Sequence, residues 1–235
     1  MNKLRTKKNL AGDDNNNIFW TTMSDLMLGL SIIFMTLFIL AMTGFTQENL
    51  RQQKQQIEIA KQLAEKLRAE KIHAEVDNLS GSVKISDVEL FEVGSYQLSP
   101  KGKTFLNKFT PIYLNTLFEN EAIILNIENI IVQGHTDSQT FKDVKTPNEQ
   151  FSKNMFLSLQ RAYTVQDYMM MHTKYDRSYD TTLRKIMVVE GKSFSEPILD
   201  INGKEDFSKS RRVELKLKVK GSNLAKLFGL KFGRD

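Results

Sequence analysis

Hydrophobic positions along the 235-residue chain fall into three regimes. From Ile18 to Phe45 they are nearly continuous (IFWTTMSDLMLGLSIIFMTLFILAMTGF), and Asp25 is the one ionisable residue of the stretch. As a helix this run rises about 42 Å, against roughly 30 Å of hydrocarbon in a bilayer, so it predicts a transmembrane helix over 18–45. A cleaved signal peptide is the competing reading, because Lys3, Arg5, Lys7 and Lys8 precede the run. Such a signal has an apolar core of about 7–15 residues and small residues before the cut. This run is longer, and Ala41-Met42-Thr43-Gly44 suits a cut poorly, which leaves the retained helix as the expectation.

Residues 46–78 are rich in Gln, Glu, Lys and Ala and hold no Pro or Gly, the pattern of a helical linker. Leu50, Ile57 and Ala64 fall seven apart, and Leu63, Leu67, Ile72, Val76 and Leu79 form a looser apolar seam. Lys54, Lys61 and Arg68 occupy the complementary seam positions, so a plain spacer accounts for the pattern as well as a coiled coil does. The third regime, 79–220, mixes both periods. Residues 82–91 (SVKISDVELF) alternate as a strand, Ser99-Pro100 opens a helix to about Phe118, and Asn129 to Gln133 is a short strand stopped by Gly134. A polar loop at 139–150 containing Pro147 leads into an amphipathic helix from about Ser152 to Met171. Lys185–Glu190 reads as a third strand, 191–208 as a loop, and RRVELKLKVK at 211–220 as a last, cleanly alternating strand. The fold class expected is α+β, a mixed β-sheet with helices on one face. The tail 221–235 places Leu224, Leu227, Phe228 and Leu230 near helical spacing among basic residues; packing on its own domain and lying on a membrane are the two readings.

Composition then removes whole classes of chemistry. The absence of cysteine excludes disulfides, thiolate metal sites, cysteine nucleophiles and a lipidated cysteine anchor, and three histidines make a His-rich metal site improbable. The net charge of +5 is uneven: residues 1–17 hold 4 basic and 2 acidic side chains, 209–235 hold 9 and 2, and 46–208 hold 20 and 23. A slightly acidic body without an aromatic-interleaved basic stripe does not predict nucleic-acid binding. The basic start and Trp20 predict a cytoplasmic N-terminus, with everything after the helix on the periplasmic side.

Three clusters carry candidate chemistry. Gln133-Gly134-His135-Thr136-Asp137 ends the second strand, Asn154 to Ala162 (NMFLSLQRA) opens the long helix, and Arg211-Arg212-Val213-Glu214 begins the last strand. Asn154, Ser158 and Arg161 are spaced i, i+4, i+7 and so share one helix face. A guanidinium there can clamp a carboxylate, and Asp137 offers the opposite charge for an ammonium, which together suit a zwitterion. An Asp137–Arg161 ion pair tying loop to helix is the plainer alternative. His135 and Asp137 with Ser138 or Ser158 do not make a hydrolase triad, since no nucleophile elbow is present, and as a metal site the pair lacks further ligands. No enzyme activity, metal or cofactor is expected.

In order and spacing these clusters resemble the OmpA-like peptidoglycan-binding family, whose marks are G-H-T-D, N-x-x-L-S-x-x-R-A and R-R-V-E. Phe91, Gly94, Ser95 and Leu98 look like that family's first-strand turn, and Glu190-Gly191 with Glu196-Pro197 like its strand-three loop. Ser210 departs from the usual asparagine before the paired arginines, and the 139–150 loop is irregular. The resemblance covers roughly 83–220. It implies an OmpA-like domain over 79–220 in which Thr136, Asp137, Asn154, Leu157, Ser158 and Arg161 bind peptidoglycan at the D-centre of a diaminopimelate stem peptide.

Asp25 is open to two readings from composition alone. A carboxylate within a span lines an ion path or meets a partner; yet the run Leu26–Met42 is long enough to span by itself, which would leave Asp25 at the interface. Trp20-Thr21-Thr22-Met23-Ser24-Asp25-Leu26-Met27 resembles the W-x-x-x-x-D-L/M-M segment of MotB-type stator subunits. That resemblance implies an inner-membrane proton-channel subunit with Asp25 as the proton carrier. It also implies a MotA-like multi-span partner and a homodimer. Within the stators, the cysteine-free chain with its basic, apolar tail resembles the branch used in anti-phage defence, with a flagellar stator and a non-conducting envelope anchor as the alternatives.

Overall fold

A computed structural model describes residues 11–92, 94–119, 121–141 and 143–220. The expectations for 1–10 and for the tail 221–235 fall outside these residues. The chain divides into two units, one holding the apolar stretch and the other spanning Leu50–Gly221.

Helix α1 is Ala11–Ala69. Its stretch Ile18–Gln47 is long and apolar enough to cross a membrane, with a mean hydropathy of 2.4 and no buried share. Hydroxyls that would be costly in lipid are satisfied along the helix itself. Ser31 donates to Met27 O (2.8 Å), Thr36 to Ile33 O (2.8 Å), Thr43 to Leu40 O (2.9 Å) and Thr46 to Met42 O (2.8 Å), and Thr22 bonds Ile18 O.

The second unit follows as β1 (Glu75–Val76), β2 (Val83–Ser86), α2 (Asp87–Leu90), α3 (Pro100–Phe118), α4 (Glu121–Asn126), β3 (Ile127–His135), α5 (Pro147–Met171), α6 (Asp180–Ile186), β4 (Met187–Gly191), α7 (Phe207–Ser210) and β5 (Arg212–Val219). The sheet order is β1-β2-β5-β3-β4, with β3 and β4 parallel and the other pairs antiparallel. This is the expected α+β mixed sheet. Along β5, Val213, Leu215 and Leu217 enter the core while Arg212, Glu214, Lys216 and Lys218 take the other face, the alternation legible in the sequence. Leu106, Phe109, Tyr113 and Leu117 of α3 and Ala162, Val165 and Met169 of α5 complete the same core.

Four local expectations are corrected. Residues 46–78 are not only a spacer: Ile59, Leu63 and Leu67 at the end of α1 are 3% exposed or less and belong to the core, with Ile72 and Val76 packed against it. The helix expected to reach 78 ends at Ala69, and of the loose seam Leu63, Leu67, Ile72 and Val76 meet the chain's own domain, whereas Leu79, Leu50 and Ile57 stay exposed. Alternation in 82–91 stops at Ser86, where the backbone turns into α2. β3 runs through Gly134 to His135, because that glycine serves close approach: a Cβ there would lie 1.9 Å from Ser158 O of α5. Finally, α5 starts at Pro147 rather than Ser152. Thr146 accepts from Glu149 N (3.2 Å), Glu149 accepts from Lys145 N (2.9 Å), and the proline sits in the first turn, where its missing N–H is harmless.

Candidate functional site

β2 and β5 pair Ser86 with Arg212, and Asp87 N donates to Arg211 O (3.1 Å), so Asp87 and Arg211 are neighbours across the strand ends. The end of β3 brings Thr136 and Asp137 to the same place, and the inward face of α5 brings Asn154, Leu157 and Arg161. These residues line a cleft of about 490 Å³, with Phe91 and the 139–141 segment completing its wall.

The charges in the cleft form a chain. Arg161 Nη2 lies 3.1 Å from each carboxylate oxygen of Asp87, Arg161 Nε donates to Ser95 O (3.0 Å), and the guanidinium stands 5.2 Å from the centre of the Phe91 ring. Arg211 bridges the two acids: its Nη1 donates to Asp137 Oδ2, and its Nε is 3.8 Å from Asp87. Asp137 Oδ1 also accepts from Gln139 N (3.2 Å). The anticipated direct Asp137–Arg161 pair is therefore not made; each takes a different partner, 74 residues away in the chain. Burial pushes the Asp87 carboxyl above the usual carboxylate range, opposed by the Arg161 and Arg211 charges, and burial likewise lowers Arg161. Three acids, Asp87, Glu92 and Asp137, face two guanidiniums, Arg161 and Arg211, so the charges of the cleft nearly cancel and lie apart from one another. Thr136 Oγ1 is buried there with no hydrogen-bond partner among the described residues.

Of the six residues expected at the wall-binding site, five line this cleft. Ser158 does not. Its hydroxyl donates to Met155 O (2.9 Å) and accepts from Ser193 N (3.0 Å), and its backbone is what Gly134 packs on, so it joins α5 to the β3–β4 edge. Asn154 lines the cleft while Nδ2 donates to Gln150 O (3.1 Å). Asp87 is the site residue that sequence reasoning missed, and Arg211, part of the third cluster, was not assigned to the binding site. A signal existed for Asp87: Val83, Ile85 and Asp87 continue one inward series, and a carboxylate in such a series requires a partner.

His135 lies on the opposite face of the sheet, 1% exposed, with Nε2 4.0 Å from Glu214 Oε1. Burial, aided by Arg212, lowers its pKa to about 4, so it stays neutral at ordinary pH. Neither candidate serine is bonded to it: Ser158 is held by Met155 and Ser193, and Ser138 by Glu205. Asp25 sits in the eighth position of the stretch Ile18–Gln47, about 10 Å along the helix from its start.

An apolar helix able to cross a membrane, followed by an α+β domain with the ordered motifs gathered around a charged cleft, is the architecture that the resemblance to MotB-type and OmpA-like proteins implies. Over 226 residues the chain is 31% identical to the Zorya protein ZorB of Escherichia coli, covering 89% of this chain and 92% of that protein. A second ZorB, from Escherichia coli O139:H28, is 22% identical over 240 residues, 97% of this chain and 88% of its own. The periplasmic domain of Helicobacter pylori MotB resembles 67% of this chain over 94% of its own length, at 17% identity and a TM-score of 0.48. No protein-family model matches the sequence. The chain belongs to the ZorB family of Zorya proteins.

Proposed function

We propose that this chain is the peptidoglycan-anchored, single-span subunit of a stator-type proton channel in the bacterial inner membrane. Residues 1–17 face the cytoplasm, 18–45 cross the membrane, and the domain that follows is periplasmic. Two copies pair with a MotA-like multi-span subunit, because one helix cannot enclose an ion path. Asp25 takes up and releases the proton. The membrane potential supplies about 2.3 kcal/mol per charge per 100 mV to drive it. The cleft around Asp137, Arg161, Thr136, Asn154 and Leu157 holds a zwitterionic diaminopimelate centre of the wall, so that the partner moves against a fixed post. Membership of the ZorB family favours anti-phage defence over swimming as the output.

One observation carries this reading: in a stretch where Ser31, Thr36, Thr43 and Thr46 bond their own helix, Asp25 is the single ionisable side chain. Asparagine keeps its size but cannot carry a negative charge. In cells expressing the chain with its partner subunits, Asp25→Asn should reach the membrane at normal levels and abolish protection from phage. Full protection by that variant would leave a non-conducting anchor instead.

A further inference from the structure

Strand β5 connects two ends of the domain with different fittings. Arg211, just before it, belongs to the cleft; Val219, its last residue, pairs with Ile127 at the start of β3, at the other end of 8 strand residues and about 26 Å of strand. The chain also enters the domain toward that far end, since a Cβ on Gly81 would lie 3.6 Å from Gln56 O of α1 and 3.7 Å from Leu217 Cδ1. Large apolar side chains beside these entry and exit points stay exposed: Ile57, Leu79 and Leu125, whose carbonyl accepts from Lys220 Nζ (2.7 Å). The inward-facing residues of the same end, Val83, Ile127, Leu215 and Leu217, are closed into the core, so completing it does not call on residues 221–235 (GSNLAKLFGLKFGRD).

We infer that residues 221–235 bind an anionic phospholipid surface, that of the membrane the apolar stretch crosses, and so hold the domain at a second point, away from the cleft. Leu224, Leu227, Phe228, Leu230 and Phe232 are interleaved there with Lys226, Lys231 and Arg234, and Asp235 is the one acid. That mixture suits the boundary of a bilayer, where apolar side chains enter the acyl edge and cations meet phosphate. The exposed Ile57, Leu79 and Leu125 put further apolar surface at the same end of the domain. Reach permits the contact. Gln56 follows Gln47, the end of the apolar stretch, by nine residues, at most about 32 Å of chain, and the fifteen residues after Lys220 extend to about 50 Å. A domain carried on one linker helix can swivel about it, and a second attachment beside the linker restrains that rotation. Which leaflet is met depends on the topology proposed above, whereas lipid binding by the tail does not.

Because the chain has no cysteine, a single one can be added as a label site. Ala225→Cys in the tail and Asn202→Cys on the exposed 200–203 turn are each labelled with a polarity-sensitive fluorophore. The full chain is then reconstituted into vesicles of phosphatidylcholine with about one-third phosphatidylglycerol, with and without lipid spin-labelled near the headgroup. The spin label should quench the fluorophore at 225 at least about twofold more than the one at 202. Vesicles of phosphatidylcholine alone, about 0.5 M salt, or Lys226→Gln combined with Lys231→Gln and Arg234→Gln should each remove most of that difference. Leu227→Asp with Phe228→Asp should remove it in anionic vesicles as well. Quenching no stronger at 225 than at 202 would overturn the inference, and a blue-shifted but unquenched tail would show that it covers Ile57, Leu79 and Leu125 instead. Quenching that survives loss of the three cations would overturn the anionic surface as the partner. None of these readouts involves proton flow or wall binding, so their failure is distinct from failure of the proposed function.

Discussion

Asp25 and Asp87 are both carboxylates set beside apolar side chains, but the chain deals with their charge in opposite ways. Around Asp87 it supplies two guanidiniums, Arg161 at 3.1 Å and Arg211 at 3.8 Å, and encloses the group so that burial and pairing oppose each other. Around Asp25 the neighbours Met23, Leu26 and Leu28 are exposed, and the surroundings of the helix have to answer the charge. A charge compensated within the chain holds a fold together. One left to the surroundings depends on a partner, and its protonation can then be coupled to that partner's movement.

The largest effect should come from making the cleft resemble the span. Arg161→Ala leaves the buried Asp87 carboxylate with Arg211 at 3.8 Å as its remaining counter-charge and should destabilise the domain by up to roughly 3–5 kcal/mol, read as a shift of the urea unfolding midpoint in the full chain. Asp87→Asn combined with Arg161→Ala should recover part of that loss; equal losses in the single and double variants would show that the charge is not the cause. Loss of wall binding in Arg161→Ala is therefore uninformative unless folding is checked.

A second buried ionisable group sharpens the contrast, because His135 avoids the problem by staying neutral. Its folded pKa of about 4 lies below the ordinary value of 6.5, so the unfolded chain binds its proton first as pH falls. The associated stability is present above pH 6.5 and is lost progressively toward pH 4, about 3 kcal/mol in all. In His135→Gln that part of the pH dependence should disappear from thermal melts recorded across this window. An unchanged slope would assign it to other groups; Asp87, whose folded pKa is raised, contributes with the opposite sign, its stabilisation being present at low pH and lost as pH rises. The smallest effect belongs to a pair open to solvent. Lys101 Nζ stands 2.9 Å from Glu89 on the outside of the domain, and Lys101→Ala should cost less than about 1 kcal/mol.

What could be read from the sequence divides along the same line. The apolar run, the alternation of 211–220 and the Ser99-Pro100 helix start depend on near neighbours in the chain, and Ser99 does accept from Gly102 N (2.9 Å). The cleft depends on partners 74 residues apart, so the motifs gave most of its lining residues but not their pairing. Gly134 was read as a stop signal, although its reason is the backbone of α5 pressed against it. The start of α5 was missed for the opposite reason: Thr146-Pro147-Asn148-Glu149 is a local helix-start pattern, outweighed by the polarity of the loop before it. The apolar seam of the linker fits a plain spacer as well as a coiled coil, and its packing on the chain's own domain is not legible from periodicity alone.

The central claim is that Asp25 carries protons across the membrane. Its most direct test is the cytoplasmic pH of cells expressing the chain with its multi-span partner, followed by a fluorescent reporter after phage addition. Wild-type cells should acidify, and Asp25→Asn cells with equal amounts of protein in the membrane should hold their pH. Acidification of the same size in the Asp25→Asn cells would contradict the account.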